Sequence, residues 1–446
     1  MQTIPDPSNE IPVIASVDLL VVGGGMTGVT AAIAGGRMGL KTLIVEQFNC
    51  LGGTATSGGH NHISQFHAWD SDTRVVGGIT YEIAERIVDG GYGTWDRVGC
   101  VDFHLEGMKL VLDQMIAEVG VNVLYYTFFC KALVDANGHV TGVIVQNKSG
   151  RAAIMARRII DCTGDGDVAA SAGAPFQQGR EPDGLSQPTT LMFTIGGVDW
   201  PTADAWRTDY KMTEVWEQAQ ADGIMEPFQN VIMGWWHTDV LPDQVGVNMT
   251  HMTHIDSTDA NDLTKATIEG RRQAHHLLDV FKQVVTGMAD AYMISTAPAL
   301  GLRESRRIVG PVVLHEDDIL SSREWEDAIC YGSFYVDIHN LDGPGMSETT
   351  VYPPEGFCYQ IPYRVMVPQN VENLLVAGRC ISTTHVALGS TRVMITCMAL
   401  GEAAGAAAAI SLREETAMID IPVPELQTQL KQQGVILERT AIEAVN

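Results

Sequence analysis

Residues 17–46 read VDLLVVGGGMTGVTAAIAGGRMGLKTLIVE. An apolar run from Leu19 to Val22 enters Gly23-Gly24-Gly25-Met26-Thr27-Gly28, a small-residue helix follows, and a second apolar run from Lys41 to Val45 ends on Glu46. This is the order of a βαβ unit that binds a dinucleotide. Gly23 permits the tight turn off the strand. Gly25 lets the backbone approach a pyrophosphate lying on the positive end of the helix, and Gly28 lets helix and strand pack closely. Met26 and Thr27 belong to the same cofactor-binding turn. Glu46, 18 residues after Gly28, stands where an acid accepts hydrogen bonds from a ribose 2′-OH.

At 446 residues the chain is too long for one simple core, so two domains or one large domain with insertions are expected. A net charge of −26 argues against nucleic acid, whose phosphates need clustered Lys and Arg, and against adsorption to an anionic membrane. The eight cysteines (50, 100, 130, 162, 330, 358, 380 and 397) contain no CxxC pair and point to free thiols in a reducing, cytoplasmic setting. The opening MQTIPDPSNEIPVIAS has no basic segment followed by an apolar core, so no signal peptide is expected. The apolar stretch from Met398 to Leu412 is interrupted by Glu402 and is too short to span a bilayer.

Working outward, residues 1–16 read as a tail. Glu106 to Val119 has helical spacing and leads into a strand at Val121 to Tyr126. Turns at Asn137-Gly138 and Lys148-Ser149-Gly150 divide the next apolar runs, Val140 to Gln146 and Ala152 to Ile160, into a small antiparallel meander. From about 175 to 350 Trp, Met, His and Pro become frequent, with an amphipathic helix at Thr264 to Thr286. After Tyr359 the α/β pattern returns, with a strand from Asn373 to Gly378 and a long Ala-rich helix from Ser390 to Leu412. The expected class is α/β. A Rossmann-like cofactor domain, with a parallel sheet and the small meander, is assembled from residues 17–174 and 351–446 around an inserted α+β substrate domain at 175–350.

That return favours FAD over NAD, because an NAD domain is usually one contiguous block. The matching pieces are VVGGGMTGVTAAIAGGRMG, EQFNCLGGTATSG, IDCTGDGDVA (160–169), LRESRRIVG (302–310), IPYRVMVPQNVENLLVAGRCIS (361–382) and THVALGSTRVMITCMALGEAAGAAAA (384–409). In these pieces, spread over nearly the whole chain, it resembles the FAD-dependent oxidoreductase family of the glutathione-reductase-like flavoproteins, which have two dinucleotide-binding domains. The resemblance implies non-covalent FAD. No second GxGxxG with a following acid is evident, so a separate NAD(P)H domain is not expected.

Gly52-Gly53-Thr54-Ala55, six residues after Glu46, can run along the pyrophosphate toward the isoalloxazine or form a surface loop. Thr163-Gly164-Asp165 resembles the turn that closes over the adenosine, with Lys131 to Leu133 near the adenine. Gly378-Arg379 resembles a second flavin-contacting strand end. Gly389-Ser390-Thr391-Arg392-Val393 opens the C-terminal helix, whose N–H groups from Ser390 to Val393 would face flavin N1–C2=O and stabilise developing negative charge. Arg392 would add a charge-assisted hydrogen bond, or form a surface salt bridge.

His385, just before that helix, is the first candidate base, with a capping or core role as the alternative. His60 and His62, in GGHNHISQFH, are further catalytic candidates on the substrate face. A zinc reading of His-x-His lacks a completing ligand, so no metal is expected. Arg303, Arg306 and Arg307 suggest an anion clamp or an internal ion-pair cluster, with Arg303 the site candidate. Trp235-Trp236-His237 reads as an aromatic platform or as core.

The expected function is FAD-dependent hydride transfer between a small polar organic substrate and flavin N5, with oxygen, a quinone or a protein as electron acceptor. The runner-up is a C=C reductase resembling the fumarate-reductase type, with Arg303 or Arg392 as proton donor or carboxylate clamp. A third reading is a nucleic-acid-directed flavoprotein or an FAD-carrying subunit. Substrate identity and oligomeric state, a homo-oligomer included, stay open at this stage.

Overall fold

Leu19 to Val22 are almost completely buried, as a parallel strand covered on both faces must be. They end β1 (Val13–Val22), which pairs in parallel with β2 (Thr42–Val45) on one side and with Ala153 to Asp161 of a long strand from the meander on the other. The computed structural model describes residues 10–96, 99–181, 183–209, 212–227, 234–343 and 345–438. Of the expected tail, residues 1–9 lie outside the described residues, and residues 13–16 belong to β1.

Helix α1 (Met26–Arg37) crosses over the sheet between β1 and β2. A second helix, α2 (Gly78–Asp89), is followed by α3 (Leu105–Glu118), which leads to β3 (Asn122–Leu124), parallel to β2. The meander is β4 (Phe128–Val134), β5 (Val140–Asn147) and β6 (Gly150–Asp161), antiparallel in sequence. Asp135 Oδ1 accepts the N–H groups of Asn137 and His139 and so closes the first of its turns, where Gly138 takes φ +87°.

Strand β6 is long because it pairs with β1 along one edge and serves two further partners along the other. Its first half pairs with β5; its last residues, Ile159 to Asp161, pair in parallel with Leu374 to Val376. Residues more than two hundred positions apart thus share one sheet. A separate antiparallel four-stranded sheet is built wholly from the middle of the chain: β7 (Phe193–Gly196), β8 (Gly234–His237), β9 (Val245–Asn248) and β10 (Tyr292–Thr296), in the order β8-β9-β7-β10. Helix α4 (Ala260–Val284) packs on it through Leu277, Val280 and Phe281. The strand Leu374–Val376 is β11.

The C-terminal helix differs from the sequence expectation. It is two helices, α5 (His385–Thr391) and α6 (Met394–Arg413), separated at Arg392-Val393, where Val393 is extended with ψ 149°. Thr384 caps α5 by accepting from Ala387 N–H, and its seven residues end before α6 begins. At 20 residues α6 is longer than the apolar stretch in the sequence implied, and long and apolar enough to cross a bilayer, yet it is almost wholly buried within the fold.

Two glycines let α6 lie against α1. A Cβ on Gly401 would stand 2.1 Å from the Thr27 carbonyl oxygen, and one on Gly405 would stand 2.2 Å from that of Ala31. Thr30 Oγ1 donates to the Met398 carbonyl at 2.7 Å across the same seam. Beside Gly401, the fully buried Glu402 accepts the Ile79 N–H at 2.9 Å and so holds the first turn of α2. Burial pushes its carboxyl up to about 8.

Between an unfolded value near 4.5 and the folded value of about 8, the native chain keeps a proton that the unfolded chain has lost. Stability contributed at this site is therefore full at low pH and falls as pH rises, by up to about 1.4 kcal/mol per unit. Thermal unfolding from pH 5 to 8 should show this decline in the wild type and a flatter profile in Glu402→Gln. An unchanged slope in the variant would exclude Glu402 as its source.

Candidate functional site

The turn after β1 is shaped by three glycines with different duties. Gly23 takes φ +101°, and a Cβ there would meet the Cys162 carbonyl oxygen at 2.5 Å. A Cβ on Gly28 would lie 1.9 Å from the Gly23 carbonyl oxygen, so this glycine serves packing inside the unit. Gly25, the N-cap of α1, has nothing within 4 Å of its would-be Cβ. The first turn of α1 has no side-chain cap and no acidic residue. Its positive end is left open for an anion.

The loop after β2 lies against this turn. Gly52 donates to the Gly24 carbonyl at 2.8 Å, and Gly25 and Gly52 form an isolated β-bridge. Glu46 is buried at the end of β2 and accepts from Gly24 N–H at 2.7 Å and Phe48 N–H at 2.8 Å. Its burial raises the carboxyl above its usual range.

These elements open on a cavity of about 950 Å³ that extends into the middle of the chain. Gly23, Gly25, Met26 and Thr27 line it from the first turn, and Glu46, Gly52, Gly53 and Thr54 from the next loop. Thr163, Gly164 and Asp165 line it after β6, and Arg379, Arg392 and Val393 from the C-terminal segment. From the meander Thr127, Phe128 and Phe129 line it, in place of Lys131 to Leu133. The cavity lies within the roughly 300–1,000 Å³ range of ligand sites.

The turn after β6 is anchored from below. Buried Asp161 accepts four hydrogen bonds, from the N–H and hydroxyl of Thr163 and from the N–H groups of Val168 and Ala169. Arg379 bonds Asp165 at 2.7 Å and Ser305 Oγ at 2.7 Å, and Arg306 donates to the Asp165 carbonyl and pairs with Asp167. The arginine-rich run thus splits: Arg306 braces this turn, Arg307 pairs with buried Glu304, and Arg303 lines the cavity.

Several expected contacts are not cavity contacts. Gly28, Ala55, Gly378, Gly389 and Ser390 do not line it. Ser390 is buried against Tyr359 and the Phe334 carbonyl, and a Cβ on Gly389 would press on Ile338 at 2.6 Å. Gly378 takes φ +91° beside Thr27. The expected donor N–H groups at Ser390 to Val393 also shift: Arg392 N–H is spent on Leu388 within α5. It is the start of α6, at Val393 and Met394, that reaches the cavity.

His385 stands outside as well. It is the first residue of α5, and its Nδ1 lies 2.9 Å from Glu304, which also holds Arg307. What separates His385 from His60 and His62 is position: it does not line the cavity, so the structure does not bring the first candidate base to it.

His60 and His62 do line the cavity. Burial, with the charges of His62 and Arg303, drives His60 down to about 3, so its ring is neutral at physiological pH, and its Nδ1 has no partner among the described residues. His62 Nδ1 lies 2.6 Å from Asp102 Oδ1. An ionised Asp102 can only accept, which puts the proton on Nδ1 and leaves Nε2 as the acceptor. Trp236 lies over both imidazoles, with ring centroids 4.5 Å from His60 and 5.2 Å from His62. Strand alternation explains the triplet in β8: Trp235 packs in the core with Phe281, whereas Trp236 faces the cavity and His237 stacks on Trp200.

Residues not singled out in the sequence complete the wall. Asp337 accepts from Arg392 at 2.8 Å, and its neighbours include His339 and Tyr335. Burial alone would raise the Asp337 carboxyl; His339, Arg392 and Arg303 outweigh it and hold the group well below the usual carboxylate range. Asp102 faces His62 because their short strands pair in register, a pairing no local pattern announces.

Residues 18–430 match the family described as FAD dependent oxidoreductase. No curated protein matches the chain. Among solved structures, a p-nitrophenol 4-monooxygenase from Pseudomonas putida DLL-E4 is similar at 9% identity and TM-score 0.48, over 94% of this chain and 90% of that one. A geranylgeranyl bacteriochlorophyll reductase-like protein from Thermoplasma acidophilum is similar at 12% identity and TM-score 0.46, over 94% and 83%. A flavoprotein/dehydrogenase from Cytophaga hutchinsonii reaches 13% identity and TM-score 0.45 over the same shares. Likeness at this level identifies no activity.

The glycines separate folding from cofactor binding. Gly25→Ala should change the unfolding free energy of the apoprotein by less than about 0.5 kcal/mol while weakening FAD at least about tenfold, or ~1.4 kcal/mol. Gly28→Ala should destabilise the apoprotein by about 1–3 kcal/mol. Thermal unfolding and FAD titration on both variants check this; equal effects of the two on folding would contradict it.

Proposed function

The chain belongs to the FAD-dependent oxidoreductase family, and from that premise we propose that it transfers a hydride between a small polar organic substrate and flavin N5. FAD, when bound, supplies the two-electron acceptor that no side chain can provide. In this reading the diphosphate lies at the α1 N-terminus beside Gly25, with the Gly52-Gly53-Thr54 loop along it. Glu46 and the Thr163–Asp165 turn take the adenosine side. The start of α6 would face the ring, where the N–H groups of its first turn would favour developing negative charge. The open space at Gly25, the uncapped first turn and the buried acid at the end of β2 support this fit. Binding is non-covalent in the proposal. The substrate sits toward the segment from 175 to 350, with domain limits at 17–174, 175–350 and 351–446.

The observation that carries the reaction is His62, on the wall of the same cavity that reaches α1, with its Nδ1 held by Asp102. His62 Nε2 accepts the substrate's hydroxyl or amine proton as its C–H bond gives up a hydride, and Asp102 stabilises the resulting imidazolium. Neutral His60 orients the substrate by hydrogen bonding. The electron acceptor in this reading would be oxygen, a quinone or a partner protein. A second reading is favoured by Arg303, which burial and the like charge of Arg392 lower to about 10. It is a C=C reductase of the enoate or fumarate type with Arg303 or Arg392 donating the proton.

The purified protein should be yellow; a colourless preparation that FAD cannot reconstitute would contradict the proposal. Under anaerobic conditions small alcohols, hydroxy acids and amines should bleach the flavin, whereas reoxidation of reduced flavin by enoates would favour the second reading. His62→Gln should retain FAD and slow flavin reduction by about 10²–10⁴-fold. Asp102→Asn should slow it less and move its pH profile. Unchanged reduction kinetics in His62→Gln would remove His62 from proton transfer.

A further inference from the structure

One stretch of the cavity carries more positive charge than its own residues neutralise, in a chain whose net charge is −26. Arg303 and Arg392 both line it. Arg303 donates through one nitrogen, Nη1, to the Pro188 carbonyl and Thr190 Oγ1. Arg392 uses Nη2 on Asp337 and, at 3.4 Å, on Gln187, while its Nε is buried without a partner. Asp337 is the one carboxylate bonded to either guanidinium among the described residues, so two cations face one anion. The imidazoles nearby do not add to the balance: burial keeps His251 and His339 neutral, each near about 4. Buried polar atoms around the cluster are likewise unpaired, among them Gln187 Nε2 and His339 Nδ1. Burying a guanidinium without a full set of partners is costly, and a planar oxyanion is the group that offsets the cost, because it accepts two parallel N–H bonds at once.

We infer that the substrate bears a carboxylate, and that Arg303 with Arg392 forms the subsite that receives it. The inference rests on the proposed substrate side of the cavity and narrows the small polar substrate to a carboxylic acid. Charge selects carboxylate over phosphate. A monoanion brings the Arg303, Arg392 and Asp337 cluster to neutrality, whereas a phosphate dianion leaves an excess negative charge in a poorly solvated place. Asp337 acts as a positioning residue that fixes the Arg392 fork. Trp236, His60 and His62 line the cavity that the carboxylate's carbon chain would occupy.

The test uses the holoprotein and two readouts besides turnover, the flavin visible spectrum and the unfolding temperature. Acetate, butyrate and benzoate are titrated beside acetamide, butyramide and benzamide, and inorganic phosphate is titrated alone. The inference expects at least one carboxylate to perturb the spectrum and raise Tm with saturation, and its amide and phosphate each to do so at least tenfold more weakly. Arg303→Gln should weaken the carboxylate at least tenfold, and Arg303→Lys should lie between. Equal response to acid and amide, a response to phosphate alone, no response to any probe, or unchanged affinity in Arg303→Gln overturns it. Should Arg303→Gln fail to fold, the acid-against-amide comparison on the wild type still decides. A yellow holoprotein indifferent to all probes sinks the subsite and leaves the flavin reading intact. A colourless protein sinks the flavin reading, and its Tm response to carboxylates still tests the subsite.

Discussion

The seam between α1 and α6 is the constraint on which the rest depends. Gly401 and Gly405 present hydrogen where any Cβ would strike the Thr27 and Ala31 carbonyl oxygens, so the two helices touch backbone to backbone. The Thr30 hydroxyl, which donates to Met398 O, fixes their relative register. Because α1 starts at the glycine turn, this contact delivers the start of α6 to the same cavity. Strand β11, paired with the last residues of β6, makes the return rigid from the other side. Close packing of this kind has little tolerance for added volume, which is why small residues run the length of the seam.

Charge is arranged to serve the cavity, against the acidity of the chain as a whole. Around the glycine turn, carboxylates are spent on backbone N–H groups: Glu46 on Gly24 and Phe48, Asp161 on Val168 and Ala169. Arginines near the turn after β6 are spent on Asp165 and Asp167. Farther along, Arg303 and Arg392 outnumber their acid, and burial keeps the surrounding imidazoles neutral. The cavity therefore runs from an uncapped helix start at one end to an under-neutralised cationic cluster at the other. Both ends invite negative charge, in two different chemical forms.

What the sequence discloses is what local spacing can encode. The glycine turn, α1 and β2 follow from residues within thirty positions of one another, and the meander follows from Asn137-Gly138 and Lys148-Ser149-Gly150. The return of β11 to the sheet was legible because the apolar run from Leu374 to Val376 repeats the pattern of a parallel strand. The break at Arg392-Val393 was not, because no proline marks it and only the extended Val393 backbone separates the two helices. His385 reads as poised beside a helix start, yet its partner Glu304 lies 81 positions away. The pairs His62–Asp102 and Arg392–Asp337 join segments whose proximity is set by strands of two and three residues and by loop packing, for which periodicity carries no signal. The arginine-rich run was readable as a clamp or an ion-pair cluster; tertiary packing divides it between both.

The central claim is that the two ends of the chain enclose one flavin nucleotide, with its ring at the start of α6. A crystal structure of the FAD complex measures this most directly. The account predicts the diphosphate at Gly25, the adenosine beside Glu46 and the isoalloxazine between Val393-Met394 and the His60–His62 wall. A ring placed away from α6, or a nucleotide bound outside this cavity, would contradict it.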